Sequence, residues 1–350
     1  MAYTTIDDPS VYFQIALYTG NDSSNAITND GNSDLQPDWL WTKNRSSSAD
    51  HKIFDSTRGV TKFLESNTND AEGTQANLLS SFNSDGFTLG AGGETNSSST
   101  NYVAWQWKAN GGSRTTFTES GDNPGGGYQA NTTAGFSIVD FVGTGANGTV
   151  QHGLGVAPRW YIIKNRDRSA NWQVYHEDNG NTHYIKLNGT GAKLDNHEIF
   201  NDTSPTSSVF SVGIDQSVNF NGENHIAYVF AEIQGYSKFG SYTGNGNADG
   251  PFVYTGFKPA WLLIRRTDSA QNWNLHDNKR STFNTTKADL FPNLSNAEET
   301  GNGNFIDFLS NGFKHRASTN SLNASSGDFI YMAFAEHPFV SSEGVPVTAG

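Results

Sequence analysis

Hydrophobic residues along this chain fall in short runs divided by polar, glycine-rich stretches, and no window holds the period of an amphipathic helix. Trp160-Tyr161-Ile162-Ile163-Lys164 is bounded by Pro158 and by Asn165-Arg166-Asp167-Arg168, which predicts a central strand with one face in a core. Asn171-Trp172-Gln173-Val174-Tyr175 and Asn272-Trp273-Asn274-Leu275-His276 alternate and predict further strands, as does Asp50-His51-Lys52-Ile53-Phe54. Residues 57–66 are the best helical stretch, yet they read equally well as a turn and a strand. Asn-Gly and Asp-Gly steps, as in Phe82-Asn83-Ser84-Asp85-Gly86-Phe87 and Phe308-Leu309-Ser310-Asn311-Gly312-Phe313, accept positive φ and predict hairpins. Val209-Phe210-Ser211-Val212-Gly213 is their counterpart.

The strand pattern is written three times. Gln36-Pro37-Asp38-Trp39, Ala157-Pro158-Arg159-Trp160 and Lys258-Pro259-Ala260-Trp261 each follow a Gly-ended segment: Tyr18-Thr19-Gly20, Phe141-Val142-Gly143 and Tyr242-Thr243-Gly244. Each copy closes on an aromatic strand containing Trp107, Phe230 or Phe334. The Pro-x-Trp anchors lie roughly 120 and then roughly 100 residues apart, a domain-sized period. Each copy is therefore expected to fold as its own small domain. The division is an arm at 1–11, repeats at 12–110, 134–234 and 235–340, and a tail at 341–350. Residues 111–133, rich in glycine, read as a flexible linker. The junction at 234–238 has almost no linker, so repeats two and three should be fixed together and repeat one freer. The predicted fold class is all-β: three tandem β-sandwich domains of jelly-roll or concanavalin-A-like type.

Composition supports strands and turns, with 37 Gly and 13% aromatics in 350 residues. The chain has no Cys, so neither disulfides nor thiolate metal sites are available. A formal net charge of -13 without a basic cluster argues against nucleic acid as a partner. The first residues lack the pattern of a secretion signal, and no apolar run has membrane-spanning length, so no membrane insertion is expected. Charged residues are only 16%, which leaves a surface of uncharged polar groups.

Several phrases resemble a known family. Ala2-Tyr3-Thr4-Thr5-Ile6-Asp7-Asp8-Pro9-Ser10, Phe54-Asp55-Ser56-Thr57-Arg58-Gly59, Tyr102-Val103-Ala104-Trp105-Gln106-Trp107, His152-Gly153-Leu154-Gly155-Val156-Ala157-Pro158 and Phe329-Ile330-Tyr331-Met332-Ala333-Phe334-Ala335-Glu336 are similar to a repeat-domain family of marine bacteriophages. The likeness runs from Ala2 to about Pro346. It implies a tail-fibre-like virion structural protein with concanavalin-A-like or jelly-roll sandwiches, and it carries over no catalytic residues. The chain departs from long fibres in lacking heptads and Gly-X-Y repeats, which leaves a compact spike, a short fibre or a capsid-decorating protein.

The chemistry points the same way. Glu232 and Glu336 end repeats two and three, but the matching position in repeat one is Lys108 or its neighbour, and no paired-carboxylate pattern for glycoside hydrolysis is present. None of the nine His has metal-ligand spacing, and no Gly-x-Ser-x-Gly elbow occurs. No catalytic, cofactor or metal residue is nominated. Calcium is the one inorganic candidate, through Asn21-Asp22-Ser23-Ser24 and Asn29-Asp30-Gly31-Asn32-Ser33-Asp34, although turn formation accounts for the same residues. Trp39, Trp160, Trp261, Trp107, Phe230 and Phe334 are read as structural repeat anchors in a core; Trp41 and Tyr128 are read as exposed. The sequons at Asn131 and Asn188 are read as by-products of composition. The expected role is display on the virion surface after synthesis in the bacterial host cytoplasm. Expected partners are other virion proteins, further copies of the chain in a homo-oligomer (a trimer being the candidate order) and a host surface glycan. A capsid-decorating protein, and a carbohydrate-binding module or depolymerase, are the alternatives.

Overall fold

A computed structural model describes residues 2–346. It is all-β, built of three sandwiches. The inner sheet of each has the same antiparallel strand order. In the first repeat the order is Phe13–Thr19, Asn101–Trp107, Trp39–Asn44, Lys52–Asp55. In the second it is Phe136–Val142, Asn224–Phe230, Trp160–Asn165, Gln173–His176, and in the third Ser237–Thr243, Asp328–Pro338, Phe257–Arg266, Trp273–Asp277. Register repeats as well: Trp39 lies opposite Trp107, Trp160 opposite Phe230, and Trp261 opposite Phe334.

The Pro-x-Trp strand is flanked on both sides in its sheet, and both of its faces are covered. Trp39 and Trp41 point into one core while Leu40 points into another; Trp160 and Ile162 oppose Tyr161 and Ile163, and Trp261 and Leu263 oppose Leu262 and Ile264. A strand buried on both faces reads as an unbroken apolar run, which corrects the expectation of a single buried face. The outer cores are closed by smaller sheets. These contain Asn25–Ile27, Phe87–Leu89 and Leu79–Phe82 in the first repeat, Gly148–Gln151 and Val209–Val212 in the second, and Phe252–Tyr254, Gly312–His315 and Ile306–Leu309 in the third. The hairpin turn at Asp85-Gly86 forms as predicted, with Gly86 at φ 85°.

All three inner faces meet in one central core. It holds Trp39, Trp41, Trp105 and Trp107 of the first repeat, Trp160, Trp172, Tyr228 and Phe230 of the second, and Trp261, Trp273, Met332 and Phe334 of the third. The repeats are therefore not independent small domains. Each inner face carries indole and phenyl surface that must leave water, and only the other two repeats are there to cover it.

The same physics overturns three finer expectations. Residues 111–133 contain strands Thr115–Phe117 and Gly125–Asn131, which extend the second repeat's inner sheet. The glycines there serve close approach instead of flexibility, since a Cβ on Gly126 would stand 2.0 Å from the Asp140 carbonyl oxygen. Repeat one is held as firmly as the others, because its inner face is buried against both. The arm is spent inside the molecule: Ile6 is in the central core, the Tyr3 hydroxyl donates to the Gly256 carbonyl at 2.8 Å, and Thr4 donates to Gln234 O at 2.8 Å. The described part of the tail returns to the arm, where Ser342 N donates to Asp7 Oδ1 at 2.7 Å. Residues 347–350 of the tail lie outside the described residues.

Candidate functional site

The predicted anchors Trp39, Trp160, Trp261, Trp107, Phe230 and Phe334 are each at most 1% exposed, and they are brought together. Trp39 lies 4.4 Å from Trp107 between ring centroids, Trp107 5.4 Å from Trp261, and Phe230 5.9 Å from Phe334. They form a dry centre without a reactive group. Trp41, expected at the surface, is buried and donates its indole N–H to His51 Nδ1 at 2.9 Å; Tyr128 is half-buried.

Polar chemistry gathers at the three seams between repeats, and the seams follow one cyclic rule. The ring nitrogen of residue 51, 172 or 273 meets a backbone carbonyl of the preceding repeat. His51 Nε2 is 3.1 Å from Phe291 O, Trp172 donates to Glu65 O at 2.8 Å, and Trp273 donates to Lys186 O at 3.0 Å. A buried cation beside the centre does the same: Lys43 donates to Ser295 O, Lys164 to Asn69 O and Arg265 to Gly191 O. Three such relations that close on themselves amount to a pseudo-three-fold arrangement within one chain. Burial pulls Lys43 and Lys164 down to about 8 and Arg265 to about 10.

Two seams carry an ion network. Between repeats one and two, Arg58 Nε meets Asp55 Oδ2 at 2.5 Å, the Tyr228 hydroxyl donates to the same oxygen at 2.7 Å, and Arg166 pairs with Glu72 at 2.8 Å. Between repeats three and one, Arg280 meets Asp277 at 2.5 Å, Trp105 Nε1 donates to Asp277 Oδ2 at 3.0 Å, and Arg45 pairs with Glu298 at 2.8 Å. Burial alone would raise Glu298, but bonds from Arg45 and Arg280 hold it below the usual carboxylate range. The third seam, between repeats two and three, has the same backbone frame, with Lys193 N donating to Thr267 O at 2.8 Å as Glu72 N does to Arg166 O at 2.8 Å. Its side chains differ. His176 stands where Asp55 and Asp277 stand, Asn179 for the two arginines, Lys193 for Glu72 and Glu298, Thr267 for Arg166 and Arg45, and Met332 for Tyr228 and Trp105.

Other acids and histidines serve the fold. Glu232 pairs with Lys238 at 2.7 Å and Glu336 with Lys258 at 3.1 Å. A depression of about 180 Å³ between repeats one and three brings Asp8, Asp30 and Glu336 to one rim. Asp8 accepts from Ser10 and Ser33, and Asp30 accepts from Lys279 at 2.8 Å, so these carboxylates are already occupied. The buried His176 and His225 are driven down to about 4, and His276 and His315 to about 3, by loss of solvent. Burial raises Asp289, 3.6 Å from His276, to about 7; the pair is thus governed by desolvation more than by mutual attraction.

The calcium loops are engaged in turns. Asn21 Oδ1 accepts from Ser23 N and from Asn96, and Asn29 accepts from Gln106 and donates to Leu35 O. Among the described residues no group of three or more His, Asp and Glu is placed to hold a metal. The sequon amides also act within the fold, Asn131 donating to Ala109 O and Asn188 accepting from Trp172 N.

Sequence reasoning missed a second repeated device. Asn96, Asn219 and Asn323 are fully buried and tie together the loops at one end of each sandwich. The signal was present, since each lies six positions before the residue at the start of the closing strand's buried run: Tyr102, His225 or Phe329. The glycines of the three Gly-ended segments face these loops. A Cβ on Gly20, Gly143 or Gly244 would stand 2.1, 2.3 or 2.2 Å from a backbone oxygen of the Asn loop.

The chain belongs to the family described as a domain of unknown function, DUF7483, whose profile matches residues 8–338. That match spans all three repeats as one unit, in keeping with a core that none of them completes alone. No curated protein and no solved structure matches the chain.

Proposed function

We propose that this protein is a bacteriophage virion structural protein, carried on the particle surface as a tail-fibre-like or spike-like element whose sandwiches face the host. The observation that supports the reading most is the locked three-fold body. Three sandwiches share one aromatic centre, and the carboxylates of Asp55, Asp277 and Glu336 are taken up by Arg and Lys partners. Such a body suits stiff display more than turnover. The uncharged polar surface inferred from composition suits contact with a host surface glycan. Assembly with other virion proteins and into a homo-oligomer, with a trimer as the order, is part of the same proposal. Half-exposed Phe252 and Tyr254 on the edge strand Phe252–Tyr254 support self-association.

Gold-labelled antibody on intact particles tests the reading. Label at the tail, at low copy number, is the expected result. Label spread over the head would favour the capsid-decorating alternative, and particles without label would remove both. Release of reducing ends from host polysaccharide by the purified chain would overturn the non-enzymatic assignment.

A further inference from the structure

The third seam differs from the other two in what its side chains leave open. At the first two seams an Arg–Glu–Arg set fills the space beside the centre, bonded within itself. At the third, those positions hold Asn179, Lys193 and Thr267, and the result is a depression of about 410 Å³ lined by all three. That volume lies within the range of small-molecule sites, about 300–1,000 Å³. Asn179 is 7% exposed, and its Nδ2 has no hydrogen-bond partner among the described residues. That nitrogen is itself covered by protein atoms, so Asn179 marks the loss of the arginine's bulk and does not offer the depression an open donor.

The lining selects the acceptor. The donor is the Lys193 ammonium, and the acceptors are the Asp328 carboxylate and the second oxygen of Asp178, whose Oδ1 accepts from Arg159 at 3.3 Å. Ser241 and Thr243 add hydroxyls that both give and accept, while Ile330 gives an apolar wall. Two carboxylates at the rim oppose a bare anion, and the Lys193 ammonium opposes a bare cation. A vicinal hydroxyl pair matches the mixture, because each hydroxyl donates and accepts at once. We infer that the seam between repeats two and three is a binding site for a polyhydroxylated ligand of the hexopyranoside class. The inference deepens the proposed surface role by assigning it a site and a ligand chemistry, and it rests on that role only for the ligand's source.

Saturation-transfer NMR on the full chain, with methyl glycosides of glucose, galactose, mannose and N-acetylglucosamine as probes, tests it. Transfer to at least one glycoside is expected. N179R/K193E/T267R, which refills the seam with three side chains of the other two, is expected to abolish that transfer while keeping the fold, at a somewhat lower melting temperature because His176 still replaces the acid. Lys193→Ala serves if the triple variant does not fold, and is expected to weaken binding about tenfold. Stronger binding of an oligosaccharide than of its methyl glycoside would assign the source to a glycan chain, and equal binding to a free sugar. Transfer to no glycoside, transfer unchanged in the refilled or Lys193→Ala variant, or displacement by inorganic phosphate would overturn the assignment. Particle labelling and sugar binding are read separately, so either can fail alone.

Discussion

The seam between repeats one and two and the seam between repeats two and three use one backbone frame and opposite chemistry. In the first, a carboxylate with no exposed side-chain surface is matched by Arg58 and by the Tyr228 hydroxyl, and a second Arg–Glu pair lies outside it. In the third, His176 replaces the carboxylate and Met332 stands in place of the donor, so no buried carboxylate needs matching there. The pair of replacements is coherent: taking away the acid takes away the need for the arginine and for the hydroxyl donor. A buried ion pair gains little over an apolar filling, but a half-removed one is costly, so these positions are coupled as a set.

The comparison can be strained in several ways. The largest effect should come from acid. His176, His225, His276 and His315 have folded values depressed to about 4, 4, 3 and 3, against an ordinary value of about 6.5 in the unfolded chain. The unfolded state binds more protons, so their contribution is fully present above pH 6.5 and is lost as the pH falls toward those values. Asp289, raised to about 7, acts in the opposite sense, its share being lost as the pH rises through 7. A net loss on the order of 5 kcal/mol between pH 7 and pH 5 is expected in urea unfolding. His176→Gln should remove about 2 kcal/mol of that sensitivity; an unchanged pH profile would break the argument for the third seam.

Next come the arginines. Arg58→Ala and Arg280→Ala each strand a fully buried aspartate and should cost about 3–5 kcal/mol, whereas Asn179→Ala at the equivalent place should cost about 1 kcal/mol or less. Equal losses at all three seams would contradict the distinction. Tyr228→Phe removes the hydroxyl that bridges Asp55 and Arg58, making the first seam resemble the third on one side only. A loss of about 1–3 kcal/mol in thermal unfolding is expected, and no loss would show that the network does not depend on it. Of similar size is the refilled third seam, N179R/K193E/T267R, expected to lose about 1–3 kcal/mol, because Met332 and His176 still lack the matching donor and acid.

Much of the fold was legible. Alternation in 272–276, the unbroken apolar run at 160–163 and the Asp85-Gly86 turn are local signals, and each gave the element that forms. The glycine-rich stretch at 125–127 was misread because glycine serves both flexible chain and tight backbone contact, and only the neighbouring Asp140 distinguishes them. Trp41 was misread as exposed because its counterparts, Ile162 and Leu263, are not aromatic, so it did not look like a repeated core position. The site was the least legible part. Asn179, Lys193 and Thr267 are ordinary surface types; they become notable only when laid over Arg58, Glu72 and Arg166, and that alignment requires the seam.

Sequence alone determined that this chain is all-β, that its pattern is copied three times, and that the large aromatics belong inside, because strand period and turn chemistry act over a few residues. Tertiary structure decided that the three inner faces share one centre and that one seam of three is left unfilled. A strand's pattern states that a face must be covered but not by what, and the covering groups here lie a whole repeat away in the chain.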